Sequence, residues 1–393
     1  MPALKNKTIL ILSPQSWGKM FVSKHHYAMQ LAREGNKVYF LNPPGDKDPI
    51  PGKRILIQPV EEQPGLFLIH HRLYFPYNIK FHFIGLFHAL MRPHLKRLFK
   101  EMGGVPDIVW SFDLGNLYPF HLFPAGVLRI FHPVDEPLNQ TAIDSARGSQ
   151  VIFSVTREIL DKYRNVPAPG YFINHGIASS FLRPVDLHKY AGTPIRVGLS
   201  GNFLRGDIDR PTLLLIIEEN PEVIFECWGS YSNTHANLAG NNDEDTTRFI
   251  EKLRSVPNVV LHGAIPSTAL AEELHRVDAF LICYDIKKDQ SGGTNYHKIM
   301  EYLSTGKVII SNNVTTYKGR PDLIRMTEDR ENNDALPGLF REVIGHLGHY
   351  NSPDLQELRV AFAKDNTYGN QVLRIEELLE TIGKQPLCSP GKR

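Results

Sequence analysis

Residues 8–41 read TILILSPQSWGKMFVSKHHYAMQLAREGNKVYFL, and this stretch decides the fold class. Thr8–Ser13 is an unbroken apolar run, the pattern of a parallel strand buried on both faces. Lys24–Glu34 then sets His26, Ala28, Met29, Leu31 and Ala32 at helical spacing, and Gly35-Asn36 closes that helix. Lys37–Leu41 is a second apolar run. Strand, helix and strand in that order form a βαβ unit, which implies a parallel sheet with crossover helices.

The pattern continues outward. Further strands are expected at Arg54–Gln58, Leu66–His70, Asp107–Ser111, Val127–Phe131, Gln150–Ser154 and Gly170–Ile173, with a long helical stretch over 80–102 and a kink at Pro93. Residues 178–193 lack a clear period and hold Pro184 and Gly192, so they read as a connection between domains. A second series follows, with strands at Ile195–Ser200, Val223–Cys227, Val259–His262, Ala279–Cys283 and Val308–Ser311. Helices are expected at Thr212–Glu219, Asp245–Ser255, Ser267–Arg276 and Asn295–Thr305. The sequence therefore predicts an α/β protein with two doubly wound domains, 1–177 and 194–352. A helical tail, 353–393, is expected to pack back towards the first domain. Open parallel sheets bind ligands at the carboxyl ends of their strands, so the active site is expected in the cleft between the two.

Composition narrows the class. The 393 residues suit two domains rather than one. A net charge of +2 is too small to call for nucleic acid as a partner. Cys227, Cys283 and Cys388 form no CxxC pair, which argues against a zinc site or a disulfide framework and fits a reducing compartment. The apolar run after Lys5 and Lys7 is shorter than the roughly 7–15 residues of a secretory signal. No run reaches the roughly 18 apolar residues of a membrane span. A cytoplasmic protein is expected, at most peripheral to a membrane. Residues 80–102 interleave Lys80, Arg92, Lys96, Arg97 and Lys100 with Phe81, Phe83, Leu86, Phe87, Leu90 and Met91, a composition suited to an anionic membrane surface.

The segment richest in chemistry is 290–311, QSGGTNYHKIMEYLSTGKVIIS. A flexible loop at Gly292, Gly293 and Thr294 opens a helix, whose free amides and positive dipole end suit a phosphate. Lys298 falls in the first turn, where a cation is unfavourable for the helix and a bound anion would offset it. Glu301 stands three residues on, on the same face, where a carboxylate can accept from two ribose hydroxyls. The plain alternative is a glycine loop before an ordinary surface helix.

HKIMEYLSTGKVIIS resembles the helix signature of GT-B glycosyltransferases, most nearly the family 4, or group 1, enzymes. Other segments follow in that family's order: RVGLSGNFLRG from Arg196, VIFECWG from Val223, NVVLHGA from Asn258, DAFLICYD from Asp278, and NHGI from Asn174. The resemblance implies the GT-B fold, two Rossmann-like doubly wound domains facing each other across a cleft, with acceptor binding in the first domain and donor binding in the second. It implies a glycosyltransferase that moves a sugar, with retention, from a nucleoside diphosphate-sugar to a saccharide or lipid-linked hydroxyl in polysaccharide or glycolipid assembly. It also implies that Glu301 binds the ribose. Lys298, Arg205 and the amides of Gly292, Gly293 and Thr294 would contact the pyrophosphate, with no metal or other cofactor required. The fork of Arg205 suits bidentate phosphate contact. Asp207-Ile-Asp209 has metal-pair spacing but precedes a Pro211 helix and reads as capping.

The family's E-x7-E pattern is broken here, because its first glutamate falls on Gly293. Asp289 or Asp285 is the candidate substitute. In the first domain, Gly18 is expected to let a loop approach the donor phosphates. His132 and Asp135, after a strand, are expected to contact the donor sugar and to act as base or orient the acceptor. Two rival readings share the fold: a nucleotide-sugar 2-epimerase, and a non-catalytic nucleotide-sugar-binding protein favoured by the missing glutamate.

Overall fold

The computed structural model describes residues 4–18, 21–45, 54–187, 193–232, 243–289 and 293–384. The chain divides into two compact units, Met1–Asn174 with Tyr368–Arg393, and His175–Thr367.

In the first unit the strands are β1 (Thr8–Leu12), β2 (Lys37–Leu41), β3 (Ile55–Pro59), β4 (Leu66–His71), β5 (Ile108–Ser111), β6 (Leu128–Phe131), β7 (Val151–Ser154) and β8 (Gly170–Phe172). They form one sheet in the order β3-β4-β2-β1-β5-β6-β7-β8. Every neighbouring pair is parallel except β3 with β4. That exception follows from chain length: residues 60–65 make only a turn, and a parallel return needs a dozen or more residues. Gly65 sits in that turn at φ +84, where a Cβ would come within 2.9 Å of the Asn36 carbonyl oxygen.

Both faces of the sheet are covered, which explains the continuous apolar strands. Helices Ser23–Arg33 and Tyr368–Lys384 cover one face, packing Tyr27, Leu31, Ile375 and Leu379 with Trp110. Helix Ile84–Met102 covers the other, with Phe87, Met91, Leu95 and Leu98 against Leu10, Tyr39 and Val109. The single helix expected over 80–102 is in fact two pieces, Ile79–His82 and Ile84–Met102. The interruption falls at Phe83, with φ −139 and ψ 69, while Pro93 lies inside the second piece without ending it.

The second unit holds β9 (Arg196–Ser200), β10 (Ile224–Trp228), β11 (Val259–Gly263), β12 (Ala279–Ile282), β13 (Val308–Ser311) and β14 (Ile324–Met326). Their order is β11-β10-β9-β12-β13-β14, parallel throughout. The chain reverses its direction of progress between β9 and β12. Such a switch point opens a crevice at the strand carboxyl ends. The residues from 353 onward are not one tail. Helix Pro353–Asp365 belongs to the second unit, where Arg359 donates to the Gly306 carbonyl oxygen at 3.0 Å. Helix Tyr368–Lys384 belongs to the first.

Candidate functional site

At the switch point between β9 and β12 lies a small cavity of about 30 Å³, lined by Ser200, Gly201, Asn202, Tyr284 and Lys298 among others. Two glycines let the backbones close in here. A Cβ at Gly229, after β10, would overlap the carbonyl oxygen of Gly201, after β9. Gly201 itself has φ +150, and a Cβ there would lie 2.9 Å from the Lys298 Nζ.

Lys298 reaches this point from the start of its helix. Its Nζ donates to the Ser200 carbonyl oxygen and to the Tyr284 hydroxyl at 2.7 Å, 4.9 Å from the Tyr284 ring centroid. Burial disfavours the charged ammonium, yet Tyr284 and Tyr302 outweigh it and hold the group above its ordinary value. Both of these partners are neutral oxygens, and among the described residues no carboxylate pairs with it. Tyr302 fixes the other wall: its hydroxyl accepts from the Ser200 amide at 2.7 Å, and its ring stacks on Phe280 with centroids 4.0 Å apart.

Arg205 approaches the same tyrosine, its guanidinium carbon 5.8 Å from the Tyr284 ring centroid. Its Nε donates to both Asp207 oxygens, at 2.8 and 3.0 Å, and its Nη2 faces Asp289 at 3.7 Å. The Asp207 bonds hold the guanidinium above its ordinary value. Asp209, two residues on, caps helix Arg210–Glu219 by accepting from the Thr212 amide at 3.2 Å.

Asp289 is buried and acts as a clamp. It accepts from the Gly293 amide at 3.1 Å and the Tyr296 hydroxyl at 2.8 Å. The carboxylate thus ties Gly293 and Tyr296 to Asp289. The helix expected over Asn295–Thr305 is correspondingly short, Lys298–Leu303. Six residues carry little macrodipole. The positive charge of the site therefore resides mainly in the Lys298 ammonium rather than the helix end, since Arg205 is already paired with Asp207 and faces Asp289.

Gly293 has φ +66, and a Cβ there would lie 3.0 Å from the Asn313 carbonyl oxygen and 3.3 Å from Ile286. A side chain would be strained on this backbone, so the loop as it stands suits glycine rather than the first glutamate of E-x7-E. Gly293→Ala should cost about 1–3 kcal/mol of stability through strain at a positive φ. An unchanged thermal midpoint would show that the loop does not hold this conformation. The buried Thr294 fixes the next turn, its carbonyl oxygen accepting from the Thr316 amide at 3.1 Å. Gly292 lies outside the described residues. Glu301 is half-buried, its carboxylate 3.5 Å from the His297 Nδ1. His297 in turn meets the ring of His175 at 5.4 Å.

The first-unit candidates are placed separately. Gly18 is exposed, and a Cβ there would meet nothing nearer than 4.0 Å. Trp17 packs edge-on against Phe21, His25 and Phe40. Asp135 is exposed. His132 is fully buried, stacked on Phe112 with centroids 5.0 Å apart and beside Tyr27 at 5.2 Å. Its Nδ1 accepts from Trp110 Nε1 at 3.3 Å, its Nε2 has no partner among the described residues, and burial pushes the imidazole down to about 3. Sequence reasoning passed over Ser200, Gly201, Gly229, Tyr284 and Tyr302. Only Tyr284 and Ser200 carried a signal, since each stands at the end of an apolar strand run.

No protein-family model matches the chain, and no curated protein does. Its fold, however, is shared with solved structures. Sucrose-phosphate synthase from Thermosynechococcus elongatus superposes with a TM-score of 0.70 at 12% identity, covering 96% of this chain and 99% of that one. HepE of Anabaena, in complex with UDP and glucose, gives 0.64 at 11% identity, covering 96% and 100%. The lipopolysaccharide outer core galactosyltransferase WaaB, in its apo form, gives 0.61 at 13% identity, covering 95% and 99%. With two parallel-sheet Rossmann-like units and these neighbours, the chain has the GT-B fold of glycosyltransferases.

Proposed function

We propose that this chain is a glycosyltransferase that takes a nucleoside diphosphate-sugar as donor and transfers the sugar, with retention, to a hydroxyl acceptor in polysaccharide or glycolipid assembly. The observation that carries the reading is Lys298: a half-buried ammonium at the switch point, bonded to the Ser200 carbonyl and Tyr284 hydroxyl oxygens and matched by no carboxylate among the described residues. An unmatched cation in such a crevice attracts an anion, and a departing diphosphate is the anion that this fold's chemistry supplies. Arg205 adds a second cation across Tyr284. Glu301 is assigned to the ribose hydroxyls. No metal is required in this reading, because the two side chains take the charge of the leaving group.

Melting temperatures in the presence of UDP, GDP, ADP, CMP and their sugars test the donor site, since a ligand of the native state must raise the midpoint. UDP-glucose heads the panel because HepE has been solved with it. One nucleotide diphosphate should stabilise wild type and leave Glu301→Ala unshifted. No shift with any of them removes the proposal and favours a non-catalytic protein.

His132 is assigned to the donor sugar and Asp135 to the acceptor, as base or orienting carboxylate. The unpartnered Nε2 supports His132, because a buried polar atom without a partner is costly unless a ligand uses it. A neutral imidazole donates there without carrying charge. His132→Ala and Asp135→Asn should lose turnover while keeping the nucleotide-induced midpoint shift. Turnover unchanged in both would remove the assignment.

A further inference from the structure

From Gln63 to Lys100 the chain has no aspartate or glutamate, and it carries Arg72, Lys80, Arg92, Lys96, Arg97 and Lys100. Lys80 turns inward, its Nζ donating to the Gly115 carbonyl oxygen. Arg92, Lys96, Arg97 and Lys100 are all exposed on helix Ile84–Met102. Arg92, Lys96 and Lys100 are spaced by four, so the basic residues form a stripe along one helix face. The opposite face carries Phe87, Met91, Leu95 and Leu98 into the core, so the outer face is not needed for packing.

The same segment ends in an apolar tip. Phe81 is 70% exposed, Phe83 66%, Ile84 50% and Leu86 51%, with Tyr74 and Tyr77 beside them at 40% and 43%. A continuous helix would bury a residue every third or fourth position. Here the break at Phe83 leaves all of residues 81–86 exposed in succession. Tyr74 is tied to the second helix by its hydroxyl, which donates to the Leu90 carbonyl oxygen at 2.5 Å. Tyr77 packs edge-on against Phe81 with centroids 5.6 Å apart.

We propose that this face, the tip 81–86 with the stripe 92–100, docks the protein on an anionic lipid bilayer. The apolar side chains of Phe81, Phe83, Ile84 and Leu86 suit insertion among acyl chains, Tyr74 and Tyr77 beside them are apolar in body and polar at one end as the headgroup boundary favours, and flanking cations are drawn to anionic headgroups. A second copy of this chain is a poor occupant, because two such faces would set like charges against each other. The contact is peripheral: among the described residues no helix is long and apolar enough to cross a membrane. The surface lies in the first unit and its argument is independent of the donor-site residues, which lie in the second.

The test is co-sedimentation of the full chain with vesicles of phosphatidylcholine alone and of phosphatidylcholine mixed with phosphatidylglycerol. Wild type should sediment with the mixed vesicles and not with phosphatidylcholine, and binding should weaken as salt rises. The variant Phe81→Ser, Phe83→Ser, Leu86→Ser and the variant Arg92→Gln, Lys96→Gln, Arg97→Gln, Lys100→Gln should each bind about tenfold more weakly or worse. Thermal midpoints equal to wild type exclude unfolding as the cause, and if the triple variant unfolds, Phe81→Ser alone carries the apolar arm. Equal binding to both vesicles, no binding to either, or variants that bind as wild type overturn the proposal. So does light scattering that shows a wild-type dimer turned to monomer by the serine substitutions, because the face is then a self-interface.

Discussion

Lys298→Ala should abolish the rise in melting temperature that the donor nucleotide gives wild type, and should lower kcat/KM by about 10²–10³-fold, the usual effect of removing one preorganised donor to developing charge. The ammonium bridges the Ser200 carbonyl oxygen, at the end of β9, and the Tyr284 hydroxyl, after β12, so it is fixed before any ligand arrives. A fixed cation pays no reorganisation when the diphosphate leaves. Lys298→Arg should not restore activity. Gly201 has no Cβ beneath the Nζ, and a branched guanidinium would have to fit where a single nitrogen now sits. Turnover and nucleotide-induced stabilisation close to wild type in Lys298→Ala would sink the donor-site reading, and Arg205 would not rescue it. That side chain already faces Asp207 and Asp289.

Much of the fold was legible because parallel strands buried on both faces leave unbroken apolar runs. Thr8–Leu12 and Val308–Ser311 stand out by composition alone. β14 did not, since Ile324–Met326 is too short to show any period. The helix break at Phe83 was hidden because an aromatic residue continues a helical pattern as well as it ends one. The site was legible only in part. Lys298 and Arg205 could be named from their segments, but the Ser200 and Tyr284 oxygens that hold Lys298 come from 98 and 14 residues away. Asp289 reads as a loop carboxylate, and only the structure shows it accepting from the Gly293 amide and the Tyr296 hydroxyl. His132 follows a strand and so reads as ligand-facing. Its cover comes from Tyr27 on the helix after β1 and Phe112 after β5, which no local pattern reports.

Acid should unfold the first unit well before the second. Four histidines there are buried and neutral: burial pushes His71 and His132 down to about 3, and His25 and His94 to about 4. His71 and His94 share a hydrogen bond of 3.0 Å, with the Asn42 carbonyl oxygen and the Tyr118 hydroxyl on the far side of His71. For a base whose folded value is depressed, the unfolded chain binds the extra proton. Stability is then complete above the unfolded value of 6.5 and is lost as pH falls from there towards 4 and 3. Each imidazole contributes about 1.4 kcal/mol of loss per pH unit in that window, so about 2 kcal/mol apiece at pH 5. The coupled pair counts for less than two independent groups. Trp228→Phe leaves only Trp17 and Trp110, both in the first unit, so its fluorescence reports that unit alone. Urea midpoints from this signal should fall steeply between pH 6.5 and 4.5, and His94→Gln should flatten the slope by removing a proton site. A midpoint flat across that range would mean that these imidazoles reach water in the native state.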